Sequence, residues 1–327
     1  MTISSIAQLP ALASHDNLDL TIDRARDFVD AAHSAATRRA YASDWRDFEA
    51  YCRAHVLPAL PASPQTLVLY LSDLAQRAKL ATIKRRLAAI AKTHRERGLE
   101  CSSSHDMVRQ VVRGISRTLG AAQAKKTAIS VDGLRAMLLE VRGDDLKAKR
   151  DRAILLLGFG AALRRSELAT LTVDDLLLCK QGVRVRIRRS KTDQTGRGVE
   201  VAVPIVANAT LCPVRAVRAW LEASGITDGP VFRSFTLGRK LTDHAITGAA
   251  VAELVQSLAR KAHLQGDFGG HSLRAGFVTS AAAAKASLDS IARTTRHKSI
   301  AVLLGYVRPA QAFDDVALGA VIDGSVV

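Results

Sequence analysis

The chain has 327 residues, 48% of them apolar and only 4% aromatic, with a formal net charge of +16 and a pI of about 10.2. That length predicts two domains of helices packed through small aliphatic side chains, and that charge predicts a polyanionic partner, nucleic acid foremost. Cys52, Cys101, Cys179 and Cys212 lie in neither CxxC nor zinc spacing, no apolar run reaches the roughly 18 residues of a membrane span, and the N-terminus lacks a secretory pattern. A disulfide scaffold, a structural zinc site and a membrane protein are therefore set aside. The expectation is a cytoplasmic, nucleoid-associated protein with free thiols.

In chain order, residues 1–20 are weakly patterned and are predicted to be a flexible N-terminus. Residues 21–120 are predicted to form a helical DNA-binding domain. Tyr41, Trp45, Phe48 and Cys52 recur at spacings of three and four, one stripe of a first helix. Pro58, Pro61 and Pro64 break the chain, and Pro64 is placed to open a second helix carrying Leu67, Leu71 and Leu74. Thr82 is placed to cap a third that runs through Leu87, Ile90 and Ala91 and stops before Gly98. A fourth is predicted over Asp106 to Leu119. Within residues 77–97 stand Arg77, Lys79, Lys84, Arg85, Arg86, Lys92, Arg95 and Arg97, against Glu96 alone. A solvated face usually mixes signs, so this helix is read as lying on DNA, with Lys84, Arg85, Arg86, Lys92 and Arg95 as its contacts.

Residues 121–127, within the small polar run GAAQAKKT, read as a linker, and residues 128–327 as a second domain. Helices are predicted near 130–141 and 147–158. Val183 to Arg189, VRVRIRR, has a strand period; Val199 to Val203 is its partner, and KTDQTGRG is the turn between them. Pro213 opens a helix ending before Gly225. Asp243 is read as the cap of another, and Ser272 as the cap of an Ala-rich helix reaching about Ala286.

Candidate chemistry lies in four places. Leu163-Arg164-Arg165-Ser166-Glu167-Leu168 follows the helix interrupted by Gly158 and Gly160. Lys191 sits at the tip of the basic hairpin. His271-Ser272-Leu273-Arg274 puts a His and an Arg three apart on a first helical turn, where both reach one anion at the positive end of the helix. His297 precedes Tyr306 by nine residues, with Gly305 beside the tyrosine. Each alone reads as a structural residue. Their order and spacing together resemble the tyrosine recombinase, or phage integrase, family, in its Cre-like branch over TIKRRLAAIAKTHRERG and the hairpin tip.

The resemblance covers nearly the whole chain and matches Arg164, Glu167, Lys191, His271, Arg274, His297 and Tyr306 to the family's active site. It departs at Ala162, where the family often has Gly, and at Thr295-Arg296, where it often has Leu-Gly. It implies a mainly α fold with a small antiparallel sheet in an α+β catalytic domain, arranged as a two-domain DNA clamp. It implies Tyr306 as nucleophile, forming a 3′-phosphotyrosine, and Arg164 and Arg274 as forked donors to the non-bridging oxygens. Lys191 is the acid for the leaving 5′-oxygen. His271 accepts the phenol proton or bonds the phosphate, His297 donates to the phosphate, and Glu167 orients Arg164 or His271. It implies no cofactor and no metal, and the sequence carries no phosphate-binding P-loop. The implied partners are double-stranded DNA with paired target sites and further copies of this chain in a synaptic tetramer. The rival readings are a type IB topoisomerase and a DNA-binding protein without activity.

Overall fold

In the computed structural model the described residues are 21–25, 28, 35–120, 126–188, 198–297 and 303–305, and the chain divides into two units, Met1–Ala124 and Lys125–Val327. The first unit contains α1 (Ala35–Ala54), α2 (Pro64–Ala75), α3 (Leu80–Glu96) and α4 (Asp106–Leu119). Pro64 stands in the first turn of α2, and the Ser63 hydroxyl accepts the Thr66 N–H at 3.1 Å, an N-cap that fixes where the helix begins. The stripe read from sequence turns inward at Phe48 and Cys52, which pack with Leu67, Tyr70, Leu74 and Ile90 in the core. His94 is fully buried there. Its Nε2 accepts the Ala62 N–H and its Nδ1 bonds the Ile90 carbonyl, both at 2.9 Å, so the ring is a neutral crosslink carrying its proton on Nδ1.

Two expectations for this unit are corrected. Helix α3 begins at Leu80 with Lys79 as its cap residue, so Thr82 lies inside the helix; burial of Ile83 in the first turn fixes the start without a side-chain cap. The shortage of acids around the basic segment holds only along the chain. Asp44 and Asp47 of α1 supply the missing charges. Arg85 Nε and Nη2 fork onto the Asp44 carboxylate at 2.8 and 2.9 Å, and Arg86 reaches Asp47 and the Tyr70 hydroxyl. The Asp44 side chain is 3% exposed and that of Arg86 is 16% exposed, so Arg86 is an internal tie. Lys92 pairs with Glu96, whereas Lys84 and Arg95 face solvent.

The second unit contains α5 (Val131–Leu139), α6 (Leu146–Gly160), α7 (Arg165–Thr170), α8 (Pro213–Ser224), α9 (Gly248–Lys261), α10 (Ser272–Ala283) and α11 (Leu288–Thr295), with strands β1 (Leu176–Leu178), β2 (Gly182–Ile187), β3 (Val199–Pro204), β4 (Arg233–Phe235) and β5 (Leu241–Ala245). Helix α6 is buried on every side along Ala153 to Leu157, as a central core helix must be. Strands β1, β2 and β3 form an antiparallel sheet in that order. The register pairs Val183 with Val203 and Val185 with Val201, all four buried, while Arg184 and Arg186 project outward. The period-2 alternation in the sequence is this division of faces. The turn joining β2 to β3, with Lys191, lies outside the described residues up to Gly198.

The remaining expectations differ in detail. Helix α9 is capped by the Thr247 hydroxyl, which accepts the Ala250 N–H at 3.1 Å; Asp243 instead lies in β5 and pairs with Arg233 at 2.5 Å. Helix α10 stops at Ala283. Lys285 takes a left-handed turn (φ 57°), and the separate helix α11 follows with Ser287 as its cap. Helix α10 also runs against the segment that opens this unit, residues 126–130. The Ile129 N–H donates to the Ser272 carbonyl at 3.2 Å, and a Cβ on Gly276 would lie 2.0 Å from the Ile129 oxygen. Only glycine permits that approach.

Candidate active site

The site is built where three chain turns meet inside the second unit. The first ends α6. Ala162 takes a left-handed conformation (φ 48°), and the Leu163 N–H turns back to the Gly158 carbonyl at 3.0 Å, a Schellman-like stop. The extended Arg164 then caps α7. Its backbone N–H donates to Glu167 Oε2 at 2.8 Å and its Nη1 to Oε1 at 2.6 Å. The carboxylate is thus both the cap of its own helix and the clamp on the arginine. Its side chain is 3% exposed.

The second turn opens α10. The Gly269 N–H donates to the Ser272 hydroxyl at 3.0 Å, and His271 sits at the cap position with Arg274 one turn on. Arg274 is buried. Its Nη1 donates to the Ala162 carbonyl at 2.8 Å and its Nη2 to the Thr295 carbonyl, so one guanidinium joins the first turn to the third.

The third turn ends α11. The Thr295 hydroxyl donates to the Ile291 carbonyl at 2.6 Å, and the same oxygen lies 2.8 Å from His297 Nδ1. With the hydroxyl proton committed, Nδ1 is the donor and Nε2 carries the lone pair. Arg296, between them, is left-handed (φ 58°). Its Nη2 reaches Glu167 Oε2 at 2.9 Å. Three residues ahead of Tyr306, Leu303 is fully buried against Val278, Ala282 and Ile291, so the chain leading to the tyrosine is anchored on α10 and α11.

Arg164, Glu167, Arg274 and His297 therefore come together with His271. Lys191 and Tyr306 lie outside the described residues. Sequence reasoning missed Arg296, Thr295 and the Ala162 carbonyl. The signal available for Arg296 was a basic residue directly before His297.

Positive charge dominates the cluster. His297 is pushed down to about 4 from an ordinary 6.5, first by burial and then by Arg274, Arg164, Arg296 and His271. His271 is lowered by desolvation of the part of its ring packed on protein, then by Arg274, Arg164 and Arg165, with Glu167 opposing. Both imidazoles are neutral near pH 7, one able to accept a proton and the other a hydrogen bond. Desolvated guanidiniums and neutral imidazoles gathered on one spot suit an anion that gains charge as it reacts. Among the described residues no group of three or more His, Cys, Asp or Glu could hold a metal, and no helix is long and apolar enough to cross a membrane.

Residues 129–312 match the model of the phage integrase family, and residues 28–97 match the phage integrase N-terminal SAM-like domain. The chain belongs to the phage integrase family. Within it, the chain is similar to the integrase/recombinase XerD homologue of Selenomonas ruminantium, 38% identical over 86% of this chain and 84% of that one. It is similar also to the tyrosine recombinase XerC of Chromobacterium violaceum, 28% identical over 80% and 89%. The fold is that of the solved XerH site-specific recombinase bound to palindromic difH substrate in a post-cleavage complex, with TM-score 0.57 and 18% identity over 81% of this chain and 72% of that one. A lambda integrase dimer bound to a COC′ core site gives TM-score 0.59 and 14% identity over 88% and 93%.

Proposed function

We propose that this integrase-family chain is a site-specific DNA recombinase that cuts and rejoins DNA through a 3′-phosphotyrosine at Tyr306. The observation that carries the reading is the meeting of Arg164 and Arg274, 110 positions apart in sequence, at the Ala162 turn with His271 and His297 beside them. In the reaction the Tyr306 oxygen bonds to phosphorus and the bond to the 5′-oxygen breaks. The phenol proton passes to His271, and Lys191 protonates the departing 5′-oxygen. Arg164 and Arg274 hold the non-bridging oxygens as charge develops, and His297, whose Nε2 carries the lone pair, accepts a hydrogen bond beside them rather than donating one to the phosphate. Glu167 keeps Arg164 in its rotamer. The reverse reaction, with a 5′-hydroxyl from the partner site, rejoins strands, so the phosphodiester energy is kept in the ester.

Both units engage duplex DNA in this proposal, and four protomers on two target sites exchange strands. In the first unit the phosphate contacts fall to the solvent-facing Lys84 and Arg95 and the outer edge of Arg85. Lys84 also lines a shallow cleft of about 320 Å³ with Arg109 and Arg113. Arg86 and Lys92 serve within the fold. The test is to select bound duplexes from random sequence and incubate them, nicked to trap the intermediate, with wild type and Tyr306→Phe. A denaturant-stable adduct with wild type and none with Tyr306→Phe is expected. An adduct with Tyr306→Phe would assign the nucleophile elsewhere.

A further inference from the structure

Ala162 and Arg296 both hold left-handed backbone, φ 48° and 58°, a region that strains any residue bearing a Cβ and that glycine enters freely. These two strained positions touch. Arg296 Nη2 donates to the Ala162 carbonyl at 3.1 Å, and Nη1 to the Ala161 carbonyl at 3.3 Å. The same Nη2 reaches Glu167 Oε2, whose carboxylate also takes Arg164. The Arg296 side chain is 6% exposed, so its charge is desolvated and shares one carboxylate with a second guanidinium. Strained backbone and buried charge persist together only where the surroundings hold both in place.

We propose that Arg296 is a positioning residue for strand cleavage: its guanidinium clamps the left-handed Ala162 turn and Glu167, setting Arg164 and His297 in register at the scissile phosphate. This rests on the function proposed above. Three features of the geometry support it. The clamp binds the turn from which Arg164 departs. It binds the carboxylate that orients Arg164. It belongs to the residue immediately before His297. Arg274 reaches the same Ala162 carbonyl from α10, so the turn is held from two elements. A left-handed turn built on alanine needs that support, whereas one built on glycine does not.

The test is a cycle of Arg296→Gly, Ala162→Gly and the pair in the full chain. Each is assayed for denaturant-stable adduct on a nicked duplex carrying the sequence that wild type protects. Arg296→Gly is expected to slow adduct formation on the order of 100-fold, as displacement of reacting groups does, with duplex affinity unchanged. In the Ala162→Gly background the same substitution is expected to cost only on the order of 10-fold, since glycine holds the turn unaided. An unaltered rate for Arg296→Gly, or an equal loss in both backgrounds, overturns the proposal. Loss of folding by Arg296→Gly that Ala162→Gly does not rescue counts as the equal-loss result. A second readout is the titration of His297, followed by NMR. The ring is faced by Arg274, Arg164, Arg296 and His271 and bonded to Thr295. Removing Arg296 takes away a positive neighbour, so the His297 pKa is expected to rise, and an unmoved titration overturns the clamp. If wild type itself forms no adduct, the function reading fails, and the titration alone then decides on the clamp.

Discussion

Glu167 is the residue that ties the first turn of the site to the third, and Glu167→Gln tests that tie at constant size. The carboxylate accepts the Arg164 N–H at 2.8 Å, Arg164 Nη1 at 2.6 Å and Arg296 Nη2 at 2.9 Å. A glutamine keeps one acceptor oxygen and turns an amide N–H toward a donor. It also leaves two guanidiniums without a counter-charge at a position whose side chain is 3% exposed. Breaking a buried pair from one side costs about 3–5 kcal/mol. For a unit the size of Lys125–Val327 that is a fall in Tm on the order of 10 °C. Cleavage is expected to slow on the order of 100-fold through loss of Arg164 orientation, while duplex affinity holds. His271 is expected to titrate lower still, because Glu167 is the neighbour that raises its pKa. The assays are a thermal melt and single-turnover adduct formation. A Glu167→Gln protein that melts and cleaves like wild type would refute the reasoning.

Three other outcomes follow from the same structure. Gly276→Ala places a Cβ 2.0 Å from the Ile129 oxygen and, two residues from Arg274, is expected to destabilise by about 1–3 kcal/mol in urea denaturation and to lower cleavage; unchanged stability would mean the backbones part freely. Asp44→Asn removes the charge shared by Arg85 and Arg86 and is expected to cost the first unit about 3 kcal/mol, read from its urea midpoint; no shift would make the pair a surface contact. His297 is pushed down to about 4 in the fold from an ordinary 6.5, so the stability it contributes is complete above pH 6.5 and is lost as pH falls through about 4. His297→Gln is expected to flatten the decline of the urea midpoint between those values, and a decline of unaltered slope would contradict the assigned environment.

The sequence was most legible where local chemistry and burial agree. Pro64 with Ser63, and Pro213 with Gly225, mark helix ends because cap and turn geometry are written in adjacent residues. The alternation of β2 and β3 survives because one face is buried. Strands β4 and β5 carry no such alternation, being partly exposed and broken by an irregular register, and β1 is three leucines long, so none of the three was predicted. Asp243 looked like a cap since Asp favours that role, but its carboxylate is taken by Arg233 across the hairpin. Around the basic helix the counter-charges of Arg85 and Arg86, Asp44 and Asp47, come from a helix about 40 residues earlier, which charge counting along the chain does not register. At the site, His271 and Arg274 were legible from their spacing. Arg296 was visible only as a residue in an unusual place, since its partners Ala162 and Glu167 are far away in sequence.

The central claim is that the DNA strand becomes bonded to the oxygen of Tyr306. The measurement that tests it most directly is to trap the adduct on a nicked duplex, digest it with protease and nuclease, and locate the nucleotide-bearing peptide by mass spectrometry. A 3′-phosphonucleotide on Tyr306 is the result expected. The same modification on any other residue, or a denaturant-stable adduct persisting in Tyr306→Phe, would contradict it.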